Sequence, residues 1–330
     1  MRPFQIEQPK TIAEALRLKN SSAQFIAGGT NQLDLMKKHI APPETLIDLQ
    51  HALSNVIKEE KKHIVIGANV KNATLGENPL ILQHIPLVAE AVLTGASQQI
   101  RNMASTAGNL MQRTRCVYFY DPTTPCNKRE PQSGCSALNG ENRMSAIIGY
   151  NPHCVATHPS DLCIALVALD AKVYATSITK QKIEIPFKDF HKLPENTPWL
   201  DHNLPNDAIV THLEIPKDNL HQYYAYIKLR DRTSYAFALV SVAAAFQLNG
   251  DQMKNVRLAS GGVAHKPWRW FEAEKFLNGK TPTRENFKQA ALLITKDIQP
   301  LSGNAYKIDL LKGAVLVALE NALNPNSKQN

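Results

Sequence analysis

Four cysteines, Cys116, Cys126, Cys135 and Cys154, fall within fewer than forty residues, and a fifth, Cys163, follows in an apolar run. Thiolates are soft ligands, so four in one segment point to a metal centre. Nine, eight and eighteen residues separate successive members of the four. Structural zinc favours pairs about two to four residues apart, and bacterial ferredoxins use a compact Cys-x2-Cys-x2-Cys run. The spacing disfavours a zinc ribbon and is compatible with an iron–sulfur cluster. Two disulfides would use the same thiols. Disulfide-dense scaffolds are small, however, whereas this chain has 330 residues and 43% apolar composition. Met1-Arg-Pro-Phe-Gln-Ile runs straight into Glu7, so no secretory leader is expected. Cys163 reads as a buried structural thiol, since free cysteine behaves as a small hydrophobe.

Pro122, Pro125, Pro131, Gly134, Gly140 and Gly149 punctuate the cysteine segment, which therefore reads as loop. A long loop in a compact protein needs something to hold it. Arg113, Arg115, Lys128, Arg129 and Arg143 make the segment basic. That charge suits an anionic cluster with its thiolates, an acidic partner, or a solvated face.

A second chemical signal is glycine. Phe25-Ile-Ala-Gly-Gly-Thr-Asn31 joins a strand to a helix, and Gly28 and Gly29 leave room for a ligand beside the main chain. Successive N–H groups there suit an oxyanion such as a pyrophosphate. It is neither a Gly-x-Gly-x-x-Gly fingerprint nor a Walker loop. Ile100-Arg-Asn-Met-Ala-Ser-Thr-Ala-Gly-Asn-Leu110 is a second small-residue loop, with donors on Ser105, Thr106 and Asn109 and close approach at Gly108. Two such loops in one unit would clamp the two ends of a dinucleotide.

The elements that must position these loops alternate. Thr11-Ile-Ala-Glu14 is a capping box ahead of a helix; residues 23–27, 45–49 and 63–67 read as strands, and 86–93 as a helix. Pro159-Ser-Asp161 opens another helix, through Leu162 to Leu169, and 171–176 returns as strand. Past a boundary near 216–222, three strands (223–229, 239–248 and 256–262) precede three helices (268–277, 285–294 and 306–323), which suggests a separate α+β domain. The tail from Asn324 is polar and expected to fray. No apolar run approaches the ~20 residues of a membrane helix. The net charge of +8, from 37 basic and 29 acidic residues, is spread along the chain and does not suggest nucleic acid.

Ala27-Gly-Gly-Thr30, Ile66-Gly-Ala68, Arg101-Asn102 with Ala107-Gly-Asn109, Pro159-Ser-Asp161, Lys228-Leu-Arg-Asp-Arg-Thr-Ser-Tyr-Ala-Phe-Ala238 and Ser260-Gly-Gly-Val-Ala-His-Lys-Pro-Trp268 follow one another along the chain. Taken together in this order, they resemble the flavin-binding subunit of the xanthine dehydrogenase family of molybdenum hydroxylases. Within that family, Arg115-Cys-Val-Tyr-Phe-Tyr-Asp-Pro122, Pro125-Cys-Asn-Lys-Arg129 and Ser133-Gly-Cys135 resemble the inserted [4Fe–4S] loop of three-subunit bacterial aldehyde oxidoreductases. One departure is Ala107, where many members have glycine.

The resemblance implies an α+β chain. A two-part α/β FAD-binding region of vanillyl-alcohol-oxidase/PCMH-like fold (1–57 and 58–220, with the insertion at 110–158) would precede a C-terminal domain (221–326) with a three-stranded antiparallel sheet and helices. Phe25, Ile26, Ala27, Gly28, Gly29, Thr30, Asn31, Gln32 and Leu33 would hold the pyrophosphate and ribityl portions of FAD. Ser105, Thr106, Gly108, Asn109, Thr114, Asp161, Val210 and Lys228 would complete the site. Asp161 is equally suited to capping its helix, together with Ser160. A lone lysine such as Lys228 is more often a surface residue. The cluster ligands would be Cys116, Cys126, Cys135 and Cys154, and no residue is expected to be a catalytic acid or base.

The implied function is electron transfer. A small [2Fe–2S] subunit and a large molybdenum-cofactor subunit would complete a heterotrimer, and electrons would leave to an external acceptor. Alternatives are a hydroxylase acting on a purine, an N-heterocycle or an aromatic thioester, and a basic, zinc-stapled binding protein without flavin. Relatives of this kind reach the periplasm on a partner's signal; the cytoplasm is the alternative.

Overall fold

A computed structural model describes residues 1–180 and 182–324. The first body is built from β1 (Gln5–Glu7), α1 (Ile12–Leu18), β2 (Ala23–Ile26), α2 (Gln32–Lys37) and β3 (Thr45–Asp48). Its sheet is parallel, in the order β1-β3-β2. The N-terminus of α1 is capped as its sequence dictates: the Glu14 N–H donates to Thr11 Oγ1 at 3.2 Å. The Glu14 carboxylate reaches back to the Lys10 N–H at 2.8 Å, one residue earlier than a capping box would have it.

The second body begins with β4 (Ile57–Glu59), β5 (His63–Gly67) and five helices: α3 (Asn72–Glu77), α4 (Pro79–His84), α5 (Pro86–Thr94), α6 (Gln98–Met103) and α7 (Thr106–Leu110). The cysteine segment follows. It is mostly irregular, as its prolines and glycines require, with one short helix, α8 (Val117–Tyr120), and a 3-10 turn at Ser136–Leu138. Then come α9 (Asp161–Ala168), β6 (Lys172–Thr176), β7 (Ile183–Pro186), α10 (Phe187–Phe190) and β8 (Ile209–Pro216). The five strands form an antiparallel sheet, β4-β5-β8-β6-β7. The β–α alternation is present in chain order, yet only the first sheet is parallel. Every residue of α9 is buried.

The third body holds β9 (Tyr223–Leu229), β10 (Val240–Asn249), β11 (Gln252–Gly261) and β12 (Trp268–Arg269), then α11 (Phe271–Leu277), α12 (Arg284–Thr295) and α13 (Tyr306–Leu323). This corrects the expected three-stranded sheet to four strands, ordered β12-β11-β10-β9. Trp268 and Arg269, read as the start of a helix, pair instead with Ser260 and Ala259 on the sheet edge. The Trp270 indole N–H fastens that turn by donating to Ser260 Oγ at 2.8 Å. The tail read as frayed lies, from residue 325 on, outside the described residues.

The alternation of β10 explains how the bodies join. Val240, Val242, Ala244 and Phe246 face one core, with α11 to α13. Ala243 and Ala245 face the other, with α5 and α9. A strand buried on both sides reads as a continuous apolar run, as Val240 to Phe246 does save for Ser241. No helix of the described residues is long and apolar enough to cross a membrane.

Candidate functional site

The two glycine-bearing loops meet. A Cβ placed on Gly28 would lie 2.0 Å from the Met103 carbonyl oxygen, so the first residue of the pair is glycine because the second loop's main chain occupies that space. Gly29 has φ +71°, a conformation that L side chains rarely adopt. Together they turn the chain from β2 into α2 and lock the two loops edge to edge.

Beside them opens a cavity of about 1110 Å³. That is at or above the ~300–1,000 Å³ usual for a small-molecule site and is room enough for a dinucleotide. Of the sequence-predicted residues, Phe25 to Gln32, Ser105, Gly108, Asn109, Asp161, Val210 and Lys228 line it. Leu33, Thr106 and Thr114 are not among its lining residues. The Thr106 hydroxyl is fully buried and donates to the Val70 carbonyl at 2.9 Å. Thr114 faces a smaller cavity of about 190 Å³ and accepts from the Cys116 N–H at 3.3 Å.

Several side chains read as ligand donors are occupied by the protein. Asn31 Oδ1 accepts from the Arg113 N–H at 2.8 Å, and Asn31 Nδ2 donates to the Tyr120 hydroxyl at 3.3 Å. Ser105 Oγ accepts from the Gly108 N–H at 3.2 Å, and Asn109 Oδ1 accepts from Ser160 Oγ at 2.5 Å. These contacts stiffen the loops, leaving main chain and apolar surface as the larger part of what the cavity offers.

Asp161 stands where the second and third bodies join. Ser160 caps α9 by accepting from the Cys163 N–H. The Asp161 carboxylate is thereby left for other partners: Tyr226 Oη donates to Oδ1 at 2.8 Å and Lys228 Nζ to Oδ2 at 2.8 Å. Lys228 is not a surface residue; its side chain is 3% exposed, and it also donates to the Thr94 carbonyl. Burial, with the Asp161 charge behind it, pushes the Tyr226 phenol well above its ordinary value, so it stays protonated and donates.

The four loop cysteines are free thiols. Cys126 and Cys135 face each other across a β-bridge. Cys116 feels the charges of Cys126 and Cys135, and Cys154 those of Cys135 and Cys116. Burial pushes the Cys116 thiol up and takes Cys154 to about 12, a rise that Lys128 only partly opposes. Leu35 of α2 packs with Phe119, Cys126, Cys116 and Tyr120, so the thiols abut the first glycine loop's helix. Asn127 Nδ2 donates to the His153 carbonyl at 3.0 Å, tying the second cysteine's turn to the fourth's.

The basic residues of this loop prove to be clamps rather than a free positive surface. Lys128 and Arg113 both pair with Asp201, and Arg143 with Asp231 at 2.7 Å. Arg129 donates to the carbonyls of Tyr118, Phe119 and Thr124. Burial alone would raise the Asp201 carboxyl, but the charges of Lys128 and Arg113 overcome it and hold the acid well below its usual range.

Residues 2–218 match the FAD binding domain in molybdopterin dehydrogenase, and residues 224–322 the CO dehydrogenase flavoprotein C-terminal domain. The chain is 40% identical over 326 residues to the aldehyde oxidoreductase FAD-binding subunit PaoB of Escherichia coli (strain K12), spanning 98% of this chain and 99% of that one. The chain belongs to the flavin-binding subunits of the xanthine dehydrogenase family. The flavin subunit is an oxidoreductase component of the molybdenum-containing aldehyde oxidoreductase and dehydrogenase group. It is also 26% identical over 302 residues to the glyceraldehyde dehydrogenase medium chain of Sulfolobus acidocaldarius, spanning 91% of this chain and 89% of that one. Its fold is that of the carbon monoxide dehydrogenase from Hydrogenophaga pseudoflava that lacks the Mo-pyranopterin moiety, with TM-score 0.76, 23% identity and 98% of each chain covered.

The flavin subunit's cavity has further lining residues outside the expected set. Arg232, Tyr235 and Phe237 line it, with Tyr235 and Phe237 exposed. They lie inside the very motif that gave Lys228, so the signal was there. Asp201 and His202 also line the cavity, from a loop with no local pattern to betray them.

Proposed function

We propose that this chain is the FAD- and [4Fe–4S]-carrying electron-transfer subunit of a molybdenum-dependent aldehyde oxidoreductase. In that assembly it works beside a small [2Fe–2S] subunit and a large molybdenum-cofactor subunit. The observation that carries the reading is the large cavity between two interlocked small-residue loops, flanked by the four loop cysteines.

In this reading the main chain from Phe25 to Gln32 holds the pyrophosphate and ribityl portions of FAD, and Ser105, Gly108, Asn109 and Val210 hold the rest. Asp161, oriented by Tyr226 and Lys228, presents a fixed carboxylate at the wall. Thr106 and Thr114 support the cradles from behind. When bound, FAD supplies the redox chemistry, and the protein supplies position and field. No side chain acts as acid or base.

Cys116, Cys126, Cys135 and Cys154 hold the [4Fe–4S] cluster. Their donor set and spread favour a cluster over one zinc ion. A tetrahedral zinc needs its sulfurs about 3.8 Å apart, and among the described residues no three of these four sulfurs lie within 4.8 Å of one another. The complex is exported folded to the periplasm on a partner's signal; the cytoplasm is the alternative, and fractionation of the assembled complex distinguishes the two.

Metal and flavin analysis of the purified complex is the test. One FAD and about four irons per chain are expected beyond the iron of the partner's [2Fe–2S] centres, and a preparation with zinc in the loop and no flavin would refute the reading.

A further inference from the structure

Beyond the cysteine loop lies a second set of soft donors. His158 precedes α9, Cys163 is in its first turn, and His191 caps the end of α10. Each offers a ligand atom within 4.8 Å of the other two, the one such group among the described residues. All three are buried, at 8%, 0% and 3% exposure. His191 Nε2 donates to the Leu110 carbonyl at 2.9 Å, which leaves Nδ1 unprotonated in the neutral ring. That Nδ1, and Nε2 of His158, are buried with no hydrogen-bond partner.

Reading Cys163 as a small hydrophobe accounts for the thiol but leaves both nitrogens stranded at a cost. The arrangement has the marks of a ligand set. A histidine that binds metal commonly donates its other N–H to a main-chain carbonyl, which fixes tautomer and ring orientation, as Leu110 does for His191. The edges of Phe187 and Phe190, with centroids 5.6 and 4.9 Å away, hold the ring in place. The His158 ring lies 4.2 Å from it, centroid to centroid.

We propose that His158, Cys163 and His191 form a buried metal site, separate from the four-cysteine loop, for a soft or borderline ion: copper(I) or zinc(II). One thiolate and two imidazoles select ions of that class over magnesium, calcium or manganese. Copper(I) would leave the site neutral with three ligands; zinc(II) would leave one positive charge and ask for a fourth ligand. On binding, a metal–sulfur bond replaces the Cys163 S–H bond and the proton leaves to solvent, with no change of oxidation state.

The experiment uses the assembled complex, purified from cells grown with added copper and, separately, added zinc. Element-specific mass spectrometry reads copper and zinc, while iron and flavin serve as internal standards. About one copper or one zinc per chain is expected, and its extended X-ray absorption fine structure should fit one sulfur at ~2.3 Å and two nitrogens at ~2.0 Å. The two growth conditions decide which ion is native. Cys163→Ala should bring that metal to background and leave iron and flavin unchanged. The proposal is overturned by background copper and zinc in both preparations, by equal metal in the variant, or by a shell of oxygen ligands only. Should the variant fail to fold, the fine-structure spectrum of the unaltered protein decides alone.

Discussion

Lys228 Nζ donates to Asp161 Oδ2 at 2.8 Å across the junction between the C-terminal sheet and α9, with both side chains under a tenth exposed. The pair lies on the wall of the large cavity, so it joins two bodies and shapes the site at once. Removing one partner strands the other. Lys228→Met should therefore destabilise the chain by about 3–5 kcal/mol, because a buried carboxylate loses its counter-charge. Denaturant unfolding measures the loss, and unchanged stability would mean that the pair is solvated.

Gly28→Ala forces a methyl against the Met103 carbonyl, 2.0 Å from where its Cβ would sit. The obstacle is main chain, so the loops must part. Flavin binding should weaken at least about tenfold, a loss of about 1.4 kcal/mol. Gly313→Ala, in α13 with nothing near its Cβ, is the control and should be neutral or stabilising by up to about 1 kcal/mol. Fluorescence titration of flavin into both variants makes the comparison.

Much of the site was legible because its signals are local. Gly28 and Gly29 announce a turn, and the prolines among the cysteines announce a loop. Lys228 was legible as a candidate but not as a buried residue, since its burial depends on Asp161, sixty-seven positions away. Likewise Asn31 looked like a free donor because Arg113 and Tyr120 are brought to it only by the fold. Trp268 was mistaken for helix because two residues of edge strand carry no period of their own.

Tyr120 links the cysteine loop to the first glycine loop. Its hydroxyl accepts from Arg115 at 2.8 Å and from Asn31 at 3.3 Å. Tyr120→Phe keeps the ring and its packing beside Leu35 and Cys126. Flavin affinity should fall by the worth of one or two hydrogen bonds, about 0.5–1.5 kcal/mol each, while iron content holds. A fall in iron with no change in flavin would show that the two loops are not coupled through this residue.

Burial, followed by the nearby Lys128 charge, lowers His265 from 6.5 to about 3. The unfolded chain takes up this proton as pH drops below about 6.5, whereas the folded chain does not until about 3. Stability should therefore decline with acid across that window, by about 1.4 kcal/mol per pH unit from this residue. His265→Gln should flatten the unfolding-versus-pH curve by that amount. An unaltered slope would mean that the ring is protonated inside the fold.

The direct test of the account is anaerobic reduction of the assembled complex by an aldehyde, followed in the visible flavin band. The flavin on this chain should bleach on mixing and recover when an external acceptor is added. A flavin that stays oxidised while the molybdenum and [2Fe–2S] centres of the partners are reduced would contradict it.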